Sequence, residues 1–365
     1  MVSMEKINLR VLMISSDRNI LVTESAVTSR INEYRKIADE LHIILLSDKK
    51  HNLKPARLFE NVWVYPTNSD NRFLRPMDAV RIGKKITCSL ITTQDPFECG
   101  WVGMRLKKLK KIPLEVQLHT DPFSVHFAGG LFNIIRKWIM KSVLRQADSV
   151  RVVLRSVGDE LMEKYGVKNI SVLPIYIDRT RIEGRLKFDL HDKYRFKTVL
   201  LMVTRLAREK NINTALECLK KVRHKFPDTG MVIVGSGTEK FEEQDGVVFV
   251  EWQEDLSSFY KTSDIFIQTS DFEGYGLSLV EAGLSGMAVV STSVGVAKEL
   301  VEEKDLLIST SDAESFAVAV DSLINNKDLR ERLGNSLKKS IEAKVLTKEA
   351  YLNKIRENWE KTARK

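Results

Sequence analysis

Asp264–Ala282 reads DIFIQTSDFEGYGLSLVEA. An apolar strand, Ile265–Thr269, runs into a loop that holds Gly274 and Gly276, and a helix is expected from about Tyr275. A short buried strand, a glycine turn and a helix make the repeating unit of a parallel sheet. Glycines at such a turn let the backbone approach a ligand closely. The free N–H groups of the first helical turn, helped by the helix dipole, then favour an anion. Glu273 stands in the loop and Glu281 further along the helix, and carboxylates are strong acceptors for vicinal hydroxyls. The combination suits a ligand with sugar hydroxyls beside phosphates. The plainer alternative is one loop carboxylate and one solvated helix carboxylate. Gly274, Tyr275, Gly276 and Leu277 at a strand-to-helix turn favour the ligand.

The same alternation extends in both directions. Downstream of a charged stretch, Thr198–Thr204, Thr229–Val234, Val247–Val250 and Ala288–Ser291 read as strands. Asn213–Lys225 and Leu256–Thr262 read as helices. Upstream, strands fall at Arg10–Ser16, Leu41–Ser47, Val62–Tyr65, Leu90–Thr93, Leu114–Gln117 and Ser149–Leu154. Helices fall at Ser25–Asp39, Asp78–Lys85 and Leu131–Ala147. Continuous apolar runs separated by helices imply a parallel sheet covered on both faces, the doubly wound α/β pattern. The charged stretch, Asp178–Phe196, reads as a linker. The expected organisation is therefore two α/β domains, 1–180 and 190–346, facing each other across a cleft. A helical, basic tail, Thr347–Lys365, is expected to pack back on the first domain.

Composition narrows the class. The chain has 365 residues, enough for two cores, with 43% hydrophobic and 29% charged residues, so disorder is excluded. Cys88, Cys99 and Cys218 are too few and too scattered for a disulfide framework or structural zinc. No H-x-x-x-H, H-E-x-x-H or Cys/His cluster is present, so no metal ligand set is expected. The apolar stretch Val11–Ser15 is too short for a signal peptide, and no run is long enough to span a membrane. A cytoplasmic location is expected. Residues 1–200 carry 35 Lys+Arg against 22 Asp+Glu, a balance of +13, whereas residues 201–365 come to −4. A basic half suits an anionic membrane surface, a phosphorylated ligand or nucleic acid. No nucleic-acid-binding module accompanies the basic residues, which leaves nucleic acid least favoured.

Three further segments carry candidate chemistry. Thr204-Arg205-Leu206-Ala207-Arg208-Glu209-Lys210-Asn211 follows the first strand of the second half, where loops open onto the ligand crevice. Arg205 and Lys210 could clamp a diphosphate and neutralise charge on a departing phosphate. Gly235-Ser236-Gly237 lacks the third glycine of a dinucleotide fingerprint; a tight strand-to-helix turn lining the same crevice is the alternative. His119 ends the strand Leu114–Leu118, where a side chain faces the crevice; the alternative is a strand-end His bonded to nearby backbone. His42, inside an apolar strand, reads as a satisfied core His. Two stretches are basic. Arg105–Lys111 holds five positive charges. Phe132, Ile135, Trp138, Ile139 and Val143 recur at helical spacing among Arg136, Lys137, Lys141 and Arg145, which suits either an anionic lipid surface or a core helix with a solvated basic face.

Taken together, these motifs resemble the large retaining GT-B glycosyltransferase family of the group 1, or family 4, type. Glu273–Ala282 (EGYGLSLVEA) is similar to its E-x7-E motif. Gly286, Val289-Val290, Ser291-Thr292, Gly295 and Glu299 are similar to the continuation. Thr204–Lys210 resembles its R-L-x-x-E-K diphosphate loop, and Gly235-Ser236-Gly237 its G-x-G turn. His119, Ala147-Asp148 and Leu173-Pro174 with Asp178 also fall at family landmarks. The departures are Thr204 and Asn211 in place of Gly, Ala288 in place of Pro, Glu251 in place of Gly, and a first loop, Asp17–Ser25, without glycines.

The resemblance implies a GT-B fold with an acceptor-side first domain and a donor-binding second domain. It implies a nucleotide-sugar substrate, a UDP-sugar foremost, with no separate cofactor and no metal. Glu281 would bond the ribose hydroxyls. Glu273 would bond the transferred sugar, helped by backbone N–H groups from Gly274 to Leu277. Arg205 and Lys210 would stabilise the leaving diphosphate, and His119 would reach the donor sugar. The acceptor would be a glycan or a lipid-linked molecule at the membrane's inner face. A small soluble acceptor such as a sugar phosphate, or sugar-nucleotide binding without turnover, are the competing readings.

Overall fold

The computed structural model describes residues 8–123, 131–303 and 306–365. The chain divides into two compact units, Met1–Pro174 with Leu346–Lys365, and Ile175–Val345.

In the first unit, the described residues form an eight-stranded sheet. The strands are β1 (Arg10–Ser15), β2 (Glu40–Leu45), β3 (Ala56–Phe59), β4 (Val62–Pro66), β5 (Leu90–Thr93), β6 (Leu114–Leu118), β7 (Ser149–Val152) and β8 (Ile170–Val172), in the order β3-β4-β2-β1-β5-β6-β7-β8. Every pairing is parallel except β3 with β4, which is antiparallel and carries a register shift between Arg57 and Phe59. The sequence reading has no counterpart for β3, an edge strand without a continuous apolar run. Helices α1 (Ala26–Tyr34), α2 (Arg75–Gly83), α3 (Glu98–Lys110), α4 (Leu131–Gln146) and α5 (Arg155–Tyr165) connect the strands. Ser25 caps α1 by accepting from the Thr28 N–H, and α1 stops at Tyr34 rather than at Asp39, whose carboxylate accepts from the Leu9 N–H. Val11–Ile14, Leu41, Ile43–Leu45, Leu90 and Ile91 are wholly buried, as strands covered on both faces require.

The second unit holds a six-stranded, all-parallel sheet among the described residues, in the order β11-β10-β9-β12-β13-β14. Its strands are β9 (Thr198–Val203), β10 (Thr229–Val234), β11 (Val247–Val250), β12 (Ile265–Gln268), β13 (Ala288–Thr292) and β14 (Leu307–Ile308). Its helices are α6 (Thr180–Glu183), α7 (Leu190–Tyr194), α8 (Ile212–Lys225), α9 (Ser257–Lys261), α10 (Leu277–Leu284), α11 (Ala297–Leu300), α12 (Ala313–Asn325) and α13 (Lys327–Glu342). A core of Leu200, Met202, Leu219, Ile233, Ile267, Val290, Phe316 and Val320 lies between the sheet and α8 and α12. The stretch read as a linker, Asp178–Phe196, is instead part of this unit: Ile182 and Leu190 are buried, and the Leu190 N–H donates to Thr262 Oγ1. Short helices with one buried residue each carry too little periodicity to be seen among so many charges.

The last helix, α14 (Lys348–Ala363), belongs to the first unit. Thr347 caps it, and Leu352, Ile355 and Trp359 enter the core that also holds Ile31, Tyr34 and Leu41.

Candidate donor-binding site

Parallel strands leave their connecting loops at the carboxyl edge of the sheet, and ligands of doubly wound folds bind there. In the second unit, the neighbouring strands β9 and β12 send two such loops together. The loop after β9 contains a tight turn at Arg208–Lys210, and the loop after β12 leads into α10. They are tied by the backbone N–H of Asp271 to the Glu209 carbonyl (2.9 Å), and by Thr269 Oγ1 to the carbonyls of Lys210 (3.2 Å) and Asn211 (2.9 Å). Asn211 has φ 47°, in the left-handed region that Asn tolerates. Its side chain bonds Asp271 and Ser311. An Asn can therefore stand where the family has Gly.

This tie brings Lys210 onto Glu273. Lys210 Nζ lies 2.8 Å from Glu273 Oε1, and Ser270 Oγ donates to the same oxygen at 2.8 Å. Both charged side chains are close to nine-tenths buried, at 11% and 12% exposure. Arg205 is placed differently: it is 73% exposed and paired with Glu209 at 2.8 Å. The structure thus joins Lys210 to Glu273 and leaves Arg205 exposed on the same loop, paired with Glu209.

Gly276 begins α10 with φ 102°, a conformation that disfavours side chains, and no side chain caps the helix there. Among the described residues, no side chain accepts from the first-turn N–H groups of α10, and Leu277 is 40% exposed. Gly274 lies in the loop, and Tyr275 is buried. Its carbonyl accepts from the Val296 N–H at 2.7 Å, and burial pushes its phenol up to about 12. Glu281 is not a solvated helix carboxylate. It is 4% exposed, Tyr260 Oη donates to its Oε2 at 2.9 Å, and Arg181 Nη1 stands 3.0 Å from its Oε1. Burial raises its pKa above the ordinary value, opposed by the Arg181 charge and the Tyr260 hydrogen bond.

Gly235 and Gly237 pack against the loop after β9. A Cβ on Gly235 would fall 1.8 Å from the Thr204 carbonyl oxygen, and one on Gly237 would fall 2.1 Å from that of Leu206. Their glycines are required because two backbones meet there. The expected strand-to-helix turn is corrected: no helix follows, and the chain runs on to β11. The Ser236 hydroxyl accepts from the Trp252 N–H at 3.0 Å, and the Trp252 indole is 62% exposed.

In the first unit, His119 follows β6. Its Nε2 is 3.1 Å from Gln117 Oε1, a side chain rather than backbone. Burial, with the charges of Arg151 and Arg30, takes its pKa down to about 3. His42 bonds Tyr65 Oη and Glu40 and stacks on Trp63, so it is satisfied as expected. Sequence reasoning missed Arg181, Tyr260 and Ser270 here, and Gln117 beside His119 in the first unit. Arg181 lay in the supposed linker, Tyr260 reaches Glu281 only through tertiary packing, and Ser270 meets Glu273 across three residues of one loop.

Among the described residues, no helix is long and apolar enough to cross a membrane, and no group of three or more His, Cys, Asp or Glu is placed to hold a metal.

Two Rossmann-like units, the second with acidic residues and an uncapped helix at its carboxyl edge, define a GT-B glycosyltransferase. The chain belongs to the group 1 glycosyltransferases: residues 187–340 match the family described as glycosyl transferases group 1, and residues 29–181 match glycosyltransferase family 4. It is 26% identical over 283 residues to an alpha-monoglucosyldiacylglycerol synthase of Streptococcus pneumoniae, a match that covers 69% of this chain and only 63% of that protein. It is 24% identical over 319 residues to the capsular polysaccharide biosynthesis glycosyltransferase CapM of Staphylococcus aureus, covering 83% and 78%. Among solved structures, Anabaena HepE in complex with UDP and glucose superposes with a TM-score of 0.72 at 16% identity, over 96% of this chain and 99% of that one.

Proposed function

We propose that the chain is a retaining glycosyltransferase that moves a sugar from a UDP-sugar to a lipid-linked or polysaccharide acceptor without a metal ion. The observation that carries the reading is the buried Lys210–Glu273 pair beside the uncapped start of α10, with Glu281 one helical turn further in. Carboxylates accept from hydroxyls, so Glu273 would hold the transferred sugar and Glu281 the ribose. The N–H groups from Gly274 to Leu277 and the Lys210 ammonium would take the diphosphate. As the bond from the anomeric carbon to the phosphate oxygen breaks, positive charge at Lys210 and Arg205 stabilises the leaving group. The acceptor oxygen bonds to the same face of the sugar, and its proton passes to the departing phosphate. His119 would contribute a neutral hydrogen-bonding edge from the first unit. The exposed Trp252 indole offers the base a flat face.

Diacylglycerol in the pneumococcal relative's name and capsular polysaccharide in the staphylococcal one support this acceptor class, and UDP with HepE supports the donor. The exposed Ile134, Ile135 and Trp138 of α4, beside Lys141 and Arg145, support an anionic membrane surface as a partner.

A thermal-shift series with UDP, GDP, ADP, dTDP and CMP, run with EDTA on the wild type and Glu281→Ala, tests the reading. Saturation near 100 times the dissociation constant adds about 2.7 kcal/mol, which raises Tm by several degrees. UDP is expected to give the largest shift and Glu281→Ala to abolish it. No shift with any nucleotide refutes the donor assignment.

A further inference from the structure

Glu281 is a carboxylate inside α10, with its side chain 6% exposed. A buried carboxylate is costly unless it is paired and hydrogen-bonded. Its two partners come from one local assembly, α6 packed on α9. The Arg181 guanidinium approaches Oε1, and Tyr260, itself 1% exposed, donates to Oε2.

Arg181 is held at several points. Its Nε donates to the Glu254 carbonyl at 3.3 Å, and its own carbonyl accepts from the Leu256 N–H at 2.8 Å. Gly184 ends α6 where a Cβ would fall 2.4 Å from Ser257 Oγ, so any larger residue would force Ser257 to move. The geometry delivers one cation to one carboxylate.

The lone pairs show what this arrangement leaves open. An ionised carboxylate has about four acceptor positions, two on each oxygen. Arg181 uses one on Oε1 and Tyr260 one on Oε2, which leaves one on each. Two vicinal hydroxyls need that number.

We propose that Arg181 is a positioning residue of the nucleotide site, one that keeps the Glu281 carboxylate charged and turned so that its free lone pairs accept both ribose hydroxyls. The inference rests on the proposed function, because it takes Glu281 as the group that meets the ribose. Among the described residues, the other charged or titratable groups facing Glu281 are Asp178, which raises its pKa, and Tyr260; α13 meets α10 through Leu337 and Ile341, which carry no charge. The Asp178 carboxylate is engaged with the Thr180 N–H and hydroxyl, so Arg181 is the cation on which Glu281 depends.

The sign follows from the chemistry. Ribose binding needs the ionised carboxylate, so affinity falls as pH drops through the Glu281 pKa. Removal of Arg181 removes the largest influence that lowers this pKa, and the loss moves to higher pH.

The test is the Kd for UDP, by calorimetry, in the wild type, Arg181→Met, Arg181→Lys and Tyr260→Phe across about pH 6 to 9, with circular dichroism as the folding control. Arg181→Met is expected to weaken binding most at the acid end, by up to about tenfold for each unit by which the loss of Arg181 raises the Glu281 pKa, with the gap closing as pH rises. Arg181→Lys is expected to restore most of the affinity, and 2′-deoxy-UDP to narrow the difference between wild type and variant. A loss equal at every pH, or no loss, overturns the inference. The two readings fail separately. If Glu281→Gln binds UDP like the wild type, or UDP binds to none of the proteins, the ribose assignment falls and the inference with it. If Glu281→Gln loses binding and Arg181→Met is flat with pH, only the role of Arg181 falls.

Discussion

Burial and the charges of Arg151 and Arg30 hold His119 uncharged near neutral pH. The amide nitrogen of Gln117 is spent on Thr92 Oγ1 (2.9 Å) and Glu115 Oε1 (3.2 Å), so the amide oxygen must face the ring. His119 therefore donates through Nε2 and leaves Nδ1 as an acceptor. A hydroxyl of a sugar can donate to that nitrogen. With a folded pKa of about 3 against an ordinary value near 6.5, the imidazole binds its proton more weakly folded than unfolded. The sign is then fixed: its contribution to stability is complete above about pH 6.5 and is lost progressively as pH falls toward the folded value. Urea melts of the wild type are expected to lose on the order of 2 kcal/mol from this residue between about pH 6.5 and 5, and His119→Gln to remove that part of the slope. Nitrogen NMR of labelled His119 is expected to show one unchanging neutral tautomer over the same range. A titration near pH 6.5 would contradict both. The pair at Glu273 illustrates what single residues reveal in advance. Glu273 and Lys210 each announce themselves by type and by position after a strand. That Lys210 meets Glu273 while Arg205 meets Glu209 depends on side-chain directions that spacing does not encode.

Beneath His119 lies a polar layer that α14 completes. Trp359 Nε1 donates to Glu115 Oε1 at 3.1 Å, Asn358 donates to Glu115 Oε2, and the Trp359 ring meets Tyr34 edge-on with centroids 5.8 Å apart. Arg151 stands 3.8 Å from Glu115 on the neighbouring strand. The helix thus supplies both an apolar plug and two donors to a carboxylate that is 0% exposed. Trp359→Ala is expected to lower stability by about 3–5 kcal/mol through cavity formation alone, and chemical denaturation measures it. Trp359→Phe keeps most of the volume and removes the donor. A loss of about 1.5–3 kcal/mol in that variant would report the indole's hydrogen bond to the Glu115 carboxylate, which keeps its bonds from Thr92, Gln117 and Asn358. Leu114–Leu118 (LEVQL) shows why this was not legible. Glu115 and Gln117 alternate with apolar residues, the pattern of a strand with one wet face. That face is dry because a helix more than 200 residues away covers it. Strands and long helices with apolar runs could be placed from sequence because their burial is local. The edge strand β3 and the short helices α6 and α7 could not, since tertiary contacts rather than periodicity hold them.

At the scale of the molecule, the basic excess of the first 200 residues has a definite geography. On α4, Met140, Val143 and Leu144 are buried, while Ile134 (55% exposed), Ile135 (51%) and Trp138 (77%) are not. The helical repeat thus serves two faces: Val143 is core, and Ile135 and Trp138 point to solvent with Lys141 and Arg145 on the same stripe. Phe132, also part of that repeat, lies outside the residues whose side chains are described. The stripe has neighbours. Arg136 covers the Phe97 ring at the start of α3 at 4.1 Å, and Arg72 reaches Glu98 at 3.5 Å. Phe73 and Met77, at the start of α2, are 75% and 56% exposed. Apolar side chains are exposed at the amino ends of α2 and α4 with cations beside them, and the proposed function takes them as meeting an anionic bilayer. Each Lys or Arg near such a surface is worth about 1 kcal/mol, and each buried methylene adds about 0.8 kcal/mol. The expected outcome is co-sedimentation with phosphatidylglycerol vesicles at low salt and none with phosphatidylcholine. Binding should weaken as salt shortens the Debye length from about 30 Å at 0.01 M to 8 Å at 0.15 M. The double variant Ile135→Ser with Trp138→Ser is expected to lose vesicle binding and keep its response to UDP, because neither residue lies in the unit proposed to bind the nucleotide. Replacement of Lys141 and Arg145 by Glu should abolish the salt dependence together with the binding. Equal binding to neutral vesicles, or full binding by the double variant, would assign the basic excess to another partner and leave the exposed tryptophan without its lipid.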